Sequence, residues 1–262
     1  MDGTIDWTRI PAAIWRPHRG ALHPVADPDP VALDDLVGIE RQKAALVRNT
    51  RRFVAGLPAN NALLWGARGT GKSSLIKAVF NRFRADGLRL IQVDRDSLVR
   101  LPEIVDDIRH QPQRFVIYCD DLGFEPGEAG YRALKTVLEG SIERPADNVR
   151  VYATSNRRHL VPEYMADNLA ARHENGELHP SDAVEETISL SDRFGLWLSF
   201  HPLGQDEYLA IVDHLFAGRG ADREAVHAEA LRYALARGVR SGRTARQFFN
   251  QFFDPPADGA EN

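Results

Sequence analysis

The sequence predicts an α/β fold in which a doubly wound, mostly parallel sheet is followed by a small helical bundle. Three observations lead to this prediction. Short apolar runs alternate with helical segments as far as Pro202, which is the pattern of a parallel sheet covered by helices on both faces. A glycine-rich turn follows the first of these runs and precedes a helix. Beyond Pro202 the apolar spacing is that of helices alone.

The apolar runs have the length and composition of buried strands. They are short, rich in β-branched or aromatic residues, and bounded by turn-forming residues. The expected strands are 61–65, 88–93, 115–119, 149–153 and 197–200.

The remaining segments carry apolar residues every three or four positions, which gives each predicted helix one apolar face. The expected helices are 33–57, 72–84, 101–110 and 130–142 around the sheet, and 205–218, 222–238 and 241–253 in the bundle. The first helix also has a basic side, which we interpret as a solvated face rather than a nucleic-acid patch. That side contains Arg41, Lys43, Arg48, Arg51 and Arg52.

Prolines recur at high density before residue 31, and that density forbids a helix there. We expect an extended arm that lies over the surface and is anchored by Trp7, Ile14 and Trp15, with plain disorder as the alternative. The expected parts of the chain are a proline-rich N-terminal arm at 1–32, an α/β core at 33–202, a helical lid at 203–253 and a disordered tail at 254–262.

Composition limits the compartment and the partners. The net charge is −4 and 43% of the residues are hydrophobic, which is typical of a soluble globular protein. The single cysteine, Cys119, has no disulfide partner, no apolar run is long enough to span a bilayer, and the first residues lack a signal-peptide core. We therefore expect a cytoplasmic protein without a membrane partner, and the net charge does not indicate nucleic-acid binding.

Residues 66–73 read Gly-Ala-Arg-Gly-Thr-Gly-Lys-Ser and fit the phosphate-loop pattern G-x-x-x-x-G-K-[ST]. A predicted strand precedes the pattern and a predicted helix follows it, so the alternative of an ordinary glycine-rich turn is improbable. Lys72 is expected to reach the β- and γ-phosphates of a nucleotide, and the Ser73 hydroxyl to ligate Mg²⁺. The expected phosphate-binding residues are Gly66, Ala67, Arg68, Gly69, Thr70, Gly71, Lys72, Ser73 and Ser74.

Polar side chains follow two of the predicted strands. Asp120 and Asp121 come directly after the strand 115–119, where a carboxylate faces the ligand crevice of a doubly wound sheet. Asp120 is expected to hold Mg²⁺ and Asp121 to orient the attacking water; a solvated acidic turn is the alternative. Asn156 follows the next strand and is expected to position water or contact the γ-phosphate, unless it only forms a turn.

Two arginines are candidates for phosphate contacts. Arg193 lies between apolar residues shortly before the last expected strand, and a surface salt bridge with Asp192 is its alternative role. Arg243 is near the start of the last helix, where it opposes the helix dipole. A bound phosphate or a carboxylate partner would compensate this charge.

With these segments in order, the chain resembles the AAA+ ATPases over nearly its whole length. It is more similar still to an uncharacterised bacterial family of AAA+-like ATP-binding proteins, known only as a domain of unknown function. The stretches that carry this similarity are 36–43 (LVGIERQK), 56–74 (GLPANNALLWGARGTGKSS), 152–164 (YATSNRRHLVPEY) and 189–200 (SLSDRFGLWLSF).

The resemblance implies a P-loop NTPase core of the AAA+ type that uses ATP and Mg²⁺. It implies that Val37, Gly38 and Ile39 lie against adenine. Gly66–Ser73 correspond to Walker A and Asp120–Asp121 to Walker B. Asn156 corresponds to sensor 1, and Arg193 to an arginine finger presented to a neighbouring subunit. Arg243 corresponds to sensor 2, and Arg246 is the alternative candidate for that role.

The resemblance also implies a function. The chain is expected to hydrolyse ATP to ADP and phosphate, as a homo-oligomer, and to drive a conformational change or the remodelling of a protein partner. The alternative is an ATP-dependent switch, loader or adaptor with negligible turnover.

Two features depart from the common pattern of AAA+ proteins. The acidic pair is Asp-Asp, whereas many members have Asp-Glu, and the shorter Asp121 suggests slow hydrolysis. A segment of about 35 residues, 157–191, which is polar in character, separates sensor 1 from the finger. We expect an inserted interaction or lid segment, because the spacing of His159, His173 and His179 does not support a metal cluster.

Overall fold

The structure is a computed structural model, and it describes residues 5–124, 128–140, 142, 144–156, 173–174, 177–178 and 192–252. The strands of its main sheet are β1 (Ala12–Arg16), β2 (Ala21–Val25), β3 (Ala62–Gly66), β4 (Leu88–Gln92), β5 (Arg114–Cys119), β6 (Val149–Ser155) and β9 (Leu196–Phe200). Their order across the sheet is β2-β1-β4-β5-β6-β3-β9. All neighbours are parallel except β1 and β2, which confirms the predicted mostly parallel sheet. The short strands β7 (His173–Glu174) and β8 (Glu177–Leu178) form a separate antiparallel ribbon.

Helices cover both faces of this sheet. They are α1 (Glu40–Val54), α2 (Lys72–Phe83), α3 (Leu101–Ile108) and α4 (Ala129–Glu139). Three further helices, α5 (Gln205–Phe216), α6 (Arg223–Arg237) and α7 (Gly242–Phe252), follow the last strand. Side chains of α1 and α2 are buried against one face, and those of α3 and α4 against the other. The strands alternate accordingly: Leu63 belongs to the α3–α4 side and Leu64 to the α1–α2 side.

Three predicted helix boundaries are wrong by three residues or more, and one of them is the end of the first helix, which lies at Val54 and not at residue 57. The first helix begins at Glu40 and not at residue 33. Residues 33–35 form only a 3₁₀ turn, and Gly38, which has positive φ, prevents a continuous helix from this turn to Glu40. The fourth helix ends at Glu139 and not at residue 142. Gly140, with φ of 83°, takes a conformation that a helix cannot continue through.

The N-terminal segment is not an arm on the surface, so this prediction also requires correction. Strand β1 pairs in parallel with β4, and β2 turns back to form the antiparallel edge of the sheet. Ala13 and Trp15 pack into the α3–α4 side, whereas Ala12 packs into the other side. The prolines do not prevent this pairing: Pro24 is on the edge strand, where a missing N–H is tolerated.

Arg89 on β4 fixes the chain that precedes β1. Its side chain is buried, and burial lowers the pKa of its guanidinium. Nε donates to the carbonyl oxygen of Trp7 at 2.6 Å, and Nη1 donates to those of Leu88 at 2.9 Å and Arg84 at 3.2 Å. Trp7 in turn packs edge-on against Phe115, with ring centroids 5.0 Å apart. A buried cation satisfied by carbonyl oxygens thus connects the N-terminal segment to the centre of the sheet.

Helices α5, α6 and α7 enclose a hydrophobic cluster of their own. Its fully buried members are Tyr208, Val212, Ala230, Ala234, Ala245 and Phe248. None of them belongs to the two clusters that flank the sheet. We keep the boundary between an α/β core and a helical lid at residue 203 as a proposal. In the part of the chain that the structure describes, no helix combines the length and apolarity needed to cross a membrane.

Replacing Arg89 with Met should lower the free energy of unfolding by about 3 kcal/mol, because buried carbonyl oxygens lose their charged donor. Arg89→Lys should lose a smaller part of this stability. Urea unfolding measures both, with Arg84→Met as the control, since the Arg84 side chain is exposed and its loss should change stability by less than about 0.5 kcal/mol. Equal stability of the Arg89 and Arg84 variants would contradict this anchoring role.

Candidate functional site

A cavity of about 850 Å³ opens between the carboxyl ends of the strands and the helices α5 and α7. The residues expected from the sequence that line it are Val37, Ile39, Arg68, Gly69, Thr70, Gly71, Lys72, Ser73, Ser74, Asp120, Asp121, Asn156, Arg243 and Arg246. Four expected residues, Gly38, Gly66, Ala67 and Arg193, are not part of its wall. The volume is within the range of pockets that take small molecules.

The glycine-rich loop is shaped by its close approach to two other elements. Gly66 has φ of 129°, and a Cβ there would lie 1.9 Å from the carbonyl oxygen of Phe200 on β9. Gly69 has φ of 74°, and a Cβ there would lie 2.7 Å from Cβ of Ser241 before α7. Neither position has room for a Cβ, so each of them requires glycine. The loop then leads directly into α2, whose free N–H groups and positive dipole end favour a bound anion.

The Lys72 ammonium lies inside this loop. It donates to the carbonyl oxygens of Gly66 at 2.8 Å and Ala67 at 2.7 Å, and to Oδ1 of Asn156 at 3.2 Å. Burial lowers the pKa of Lys72, and the nearby carboxylates of Asp121 and Asp120 oppose this shift. A polyphosphate in the loop would offer the ammonium negatively charged partners.

The acidic pair and Asn156 meet at the same edge of the sheet. Oδ1 of Asp120 accepts from the Ser73 hydroxyl at 2.9 Å and from the Thr154 hydroxyl at 2.5 Å. Nδ2 of Asn156 donates to the Asp121 carboxylate. Because Asn156 also accepts from Lys72, its amide links the ammonium to the second carboxylate.

The donor set at this edge fits Mg²⁺. The Ser73 hydroxyl and the Asp120 carboxylate are hard oxygen ligands within hydrogen-bonding distance of each other. Mg²⁺ is usually held by one or two such protein groups, with water and substrate phosphates completing its shell. Among the described residues, no cluster of three or more His, Cys, Asp or Glu side chains offers an all-protein metal site.

The segment before α1 forms an apolar wall of the cavity. Leu36, Val37 and Ile39 lie in this wall, and Leu203, Ile211 and Leu215 contribute from the lid. Nζ of Lys43 fixes the segment by donating to the carbonyl oxygens of Leu33 and Leu36. Sequence reasoning gave no site role to nine other residues of the cavity wall, because their place there depends on packing between segments that are distant in the chain: Asp29, Val31, Asp35, Leu36, Thr154, Leu203, Ile211, Leu215 and Gly242.

Helix α7 begins on the glycine-rich loop. The N–H of Gly242 donates to the carbonyl oxygen of Gly69 at 2.8 Å, and the Ser241 hydroxyl caps the helix by accepting from the N–H of Thr244. This arrangement brings both Arg243 and Arg246 into the cavity wall. The choice of Arg243 over Arg246 as the phosphate-binding arginine stays a prediction.

Arg193 lies outside the cavity wall, and Glu139 at the end of α4 accepts from its guanidinium. The carboxylate that the structure pairs with it is therefore not Asp192, the partner weighed from the sequence. Of the three histidines in 157–191, His159 and His179 lie outside the described residues, and His173 is in the β7–β8 ribbon.

Comparisons with known proteins show similarity at the level of the fold. The fold is similar to a structure of the Aeropyrum pernix Orc1 protein in complex with DNA, with a TM-score of 0.60, 17% identity and coverage of 87% of this chain and 64% of that chain. It is also similar to the Thermotoga maritima RuvB Holliday junction branch migration motor, with a TM-score of 0.51, 13% identity and coverage of 85% and 72%.

A curated relative matches a short stretch only. The Replication factor C large subunit of Ignicoccus hospitalis is 32% identical over 63 residues, which are 23% of this chain and 13% of that protein. The chain thus spans a small fraction of this relative's length. The structural likenesses establish an AAA+ P-loop NTPase fold. A family model described as "Protein of unknown function (DUF815)" matches residues 8–254, and the chain belongs to that family.

Proposed function

We propose that this protein binds ATP and Mg²⁺ and hydrolyses ATP to ADP and phosphate. One observation carries the proposal: Lys72, the Ser73–Asp120 pair and the Asp121–Asn156 pair converge in one cavity next to a glycine-rich loop and a helix N-terminus. The resulting motion between the sheet region and the lid would remodel or recruit a protein partner, with the chain working as a homo-oligomer.

Each residue has a role in this proposal. The loop N–H groups and Lys72 bind the phosphates, and Arg243 or Arg246 approaches them from the lid. Asp121 orients the attacking water, and Asn156 holds the carboxylate of Asp121 in place. Ser73 and Asp120 would hold Mg²⁺, which when bound offsets negative charge on the phosphates.

The place of Arg193 supports action on a neighbouring subunit. Its guanidinium is paired with Glu139 and is not part of the cavity wall of its own chain. Such an arginine reaches a nucleotide only if another chain presents one, and it must then exchange Glu139 for phosphate. Assembly and hydrolysis are coupled in this scheme.

The switch with negligible turnover remains the alternative within the same fold. The observation that favours it is the second acid, since the short Asp121 side chain already accepts a hydrogen bond from Asn156. A single-turnover measurement with protein in excess over ATP distinguishes the two. Hydrolysis over hours rather than seconds, with tight nucleotide binding, identifies a switch.

A second candidate function is nucleic-acid binding through α1. Arg41, Arg48 and Arg51 are exposed, occur at helical spacing, and form no side-chain hydrogen bond or ion pair with another described residue. They extend over about 15 Å of helix, and guanidinium groups suit phosphate oxygens. Net charge does not indicate nucleic-acid binding, but two similar structures are described as a branch migration motor and a protein–DNA complex, so nucleic acid is kept as a candidate partner.

Asp121→Asn should bind ATP with unchanged affinity but hydrolyse it at least about 100-fold more slowly, because the carboxylate that orients water is removed. Lys72→Ala should instead weaken ATP binding. A fluorescent ATP analogue and phosphate release measure the two properties. Failure of the wild-type protein to bind ATP at millimolar concentrations would remove the proposed function.

Arg193→Ala should reduce turnover by about 10³-fold or more while ATP still binds. Mixing it with Lys72→Ala tests action between subunits, because the first variant retains an intact site and the second an intact finger. Activity should return in the mixture, whereas neither variant is active alone. Undiminished hydrolysis by Arg193→Ala, or no recovery on mixing, would contradict this assignment.

Arg48→Glu and Arg51→Glu should weaken binding to duplex DNA and lower the slope of log K against log salt by roughly one for each phosphate that is no longer neutralised. Fluorescence anisotropy at several salt concentrations measures both values. Arg240→Glu is the control, since this exposed arginine on the lid changes the net charge equally. An equal effect of all three substitutions would indicate nonspecific attraction and exclude α1 as the surface.

A further inference from the structure

The end of β6 holds the turn that carries the acidic pair. The Thr154 hydroxyl donates to Oδ1 of Asp120 at 2.5 Å and accepts from the N–H of Asp121 at 2.9 Å. The Thr154 carbonyl oxygen accepts from the N–H of Leu122 at 2.7 Å, and the Ser155 hydroxyl donates to the carbonyl oxygen of Leu122 at 2.7 Å. Two adjacent residues of β6 therefore bind three consecutive residues of the turn.

The Thr154 hydroxyl is buried and makes hydrogen bonds in both directions. Thr154 is 2% exposed, and its hydroxyl is used both as a donor and as an acceptor. The donor side fixes a carboxylate oxygen of Asp120, and the acceptor side satisfies the backbone N–H of Asp121 just beyond the end of β5. A single oxygen atom thus contacts both acidic residues, one through its carboxylate and the other through its backbone.

Asp121 has an unusual backbone conformation. Its φ is 50°, and it is the one non-glycine residue with positive φ among the residues that the structure describes. Asp and Asn are several-fold enriched in this left-handed region, because their short polar side chains tolerate it. The conformation also directs the Asp121 carboxylate to the amide of Asn156.

We propose that Thr154 is a positioning residue, whose hydroxyl holds Asp120 as a metal ligand and holds Asp121 in the left-handed conformation. The same conformation accounts for Asp rather than Glu as the second acid, since the turn suits a short carboxylate. This inference rests on the proposed binding of ATP and Mg²⁺. It adds a residue outside the phosphate loop and the acidic pair to the machinery of the site.

Thr154→Val and Thr154→Ser test the role of the hydroxyl. Valine keeps the shape of threonine without its hydrogen bonds, whereas serine keeps the hydroxyl. With a fluorescent ADP analogue in EDTA, both variants should bind as tightly as wild type. We define the metal midpoint as the Mg²⁺ concentration at which the gain in nucleotide affinity is half-maximal. In Thr154→Val the metal midpoint should rise by about tenfold or more, and the affinity for Mn²⁺, measured by electron paramagnetic resonance, should fall by a similar factor. Both values should return toward those of the wild type in Thr154→Ser. Turnover should follow the same order with little change in KM for ATP.

Thr50→Val is the matched control. Thr50 is also fully buried, and its hydroxyl bonds the Leu46 carbonyl oxygen and the Tyr152 hydroxyl away from the acidic turn. It should lower thermal stability without moving the metal midpoint. A wild-type metal midpoint in folded Thr154→Val, or an equal shift in Thr50→Val, would overturn the proposal.

Asp121→Glu provides a second test that leaves Thr154 intact, in case Thr154→Val does not fold. It should bind nucleotide and metal as wild type does, yet hydrolyse ATP at least about tenfold more slowly, because the longer side chain suits neither the left-handed backbone nor Asn156. Turnover equal to or above that of wild type would refute the conformational explanation. Absence of nucleotide binding in the wild-type protein would instead refute the proposed function, so the two failures are distinguishable.

Discussion

The rest of the site depends on how the buried ammonium of Lys72 is stabilised. A charge removed from water requires partners, and here two loop carbonyl oxygens, the Asn156 amide and two nearby carboxylates supply them. These partners come from the glycine-rich loop, the end of β6 and the turn after β5. Glycine at the crowded positions 66 and 69 allows the loop conformation in which the carbonyl oxygens of Gly66 and Ala67 face Lys72. Steric fit and charge compensation therefore favour the same loop conformation.

The sheet brings these partners together. Strand β6 lies between β5 and β3, and all three are parallel, so the acidic turn, Thr154–Asn156 and the loop emerge side by side. Strand β9 passes close behind Gly66, and α7 begins on Gly69. The loop therefore contacts the sheet on one side and the start of α7 on the other.

The parts of this arrangement that the sequence predicts are local. The loop motif, the strand before it and the helix after it occupy one continuous stretch, and their pattern needs no distant partner. The N-terminal strands do not have this property, because β1 joins the main sheet through its pairing with β4, more than seventy residues away. The pairing of Arg193 with Glu139 and the apolar wall from α5 likewise depend on interactions between distant segments. The left-handed Asp121 is another tertiary feature, since it is stabilised by Thr154.

The charges in the cavity explain why the site would need a neighbour. Four basic side chains, those of Arg68, Lys72, Arg243 and Arg246, line it together with four acidic ones, those of Asp29, Asp35, Asp120 and Asp121. A nucleoside triphosphate adds more negative charge than a single Mg²⁺ offsets, and in the transition state of hydrolysis negative charge is spread over the equatorial oxygens of the transferred phosphoryl group. The surplus favours one more cation, and the proposed source is Arg193 of another chain. In that scheme the nucleotide favours assembly because assembly supplies the missing positive charge, and departure of the γ-phosphate weakens the same interaction.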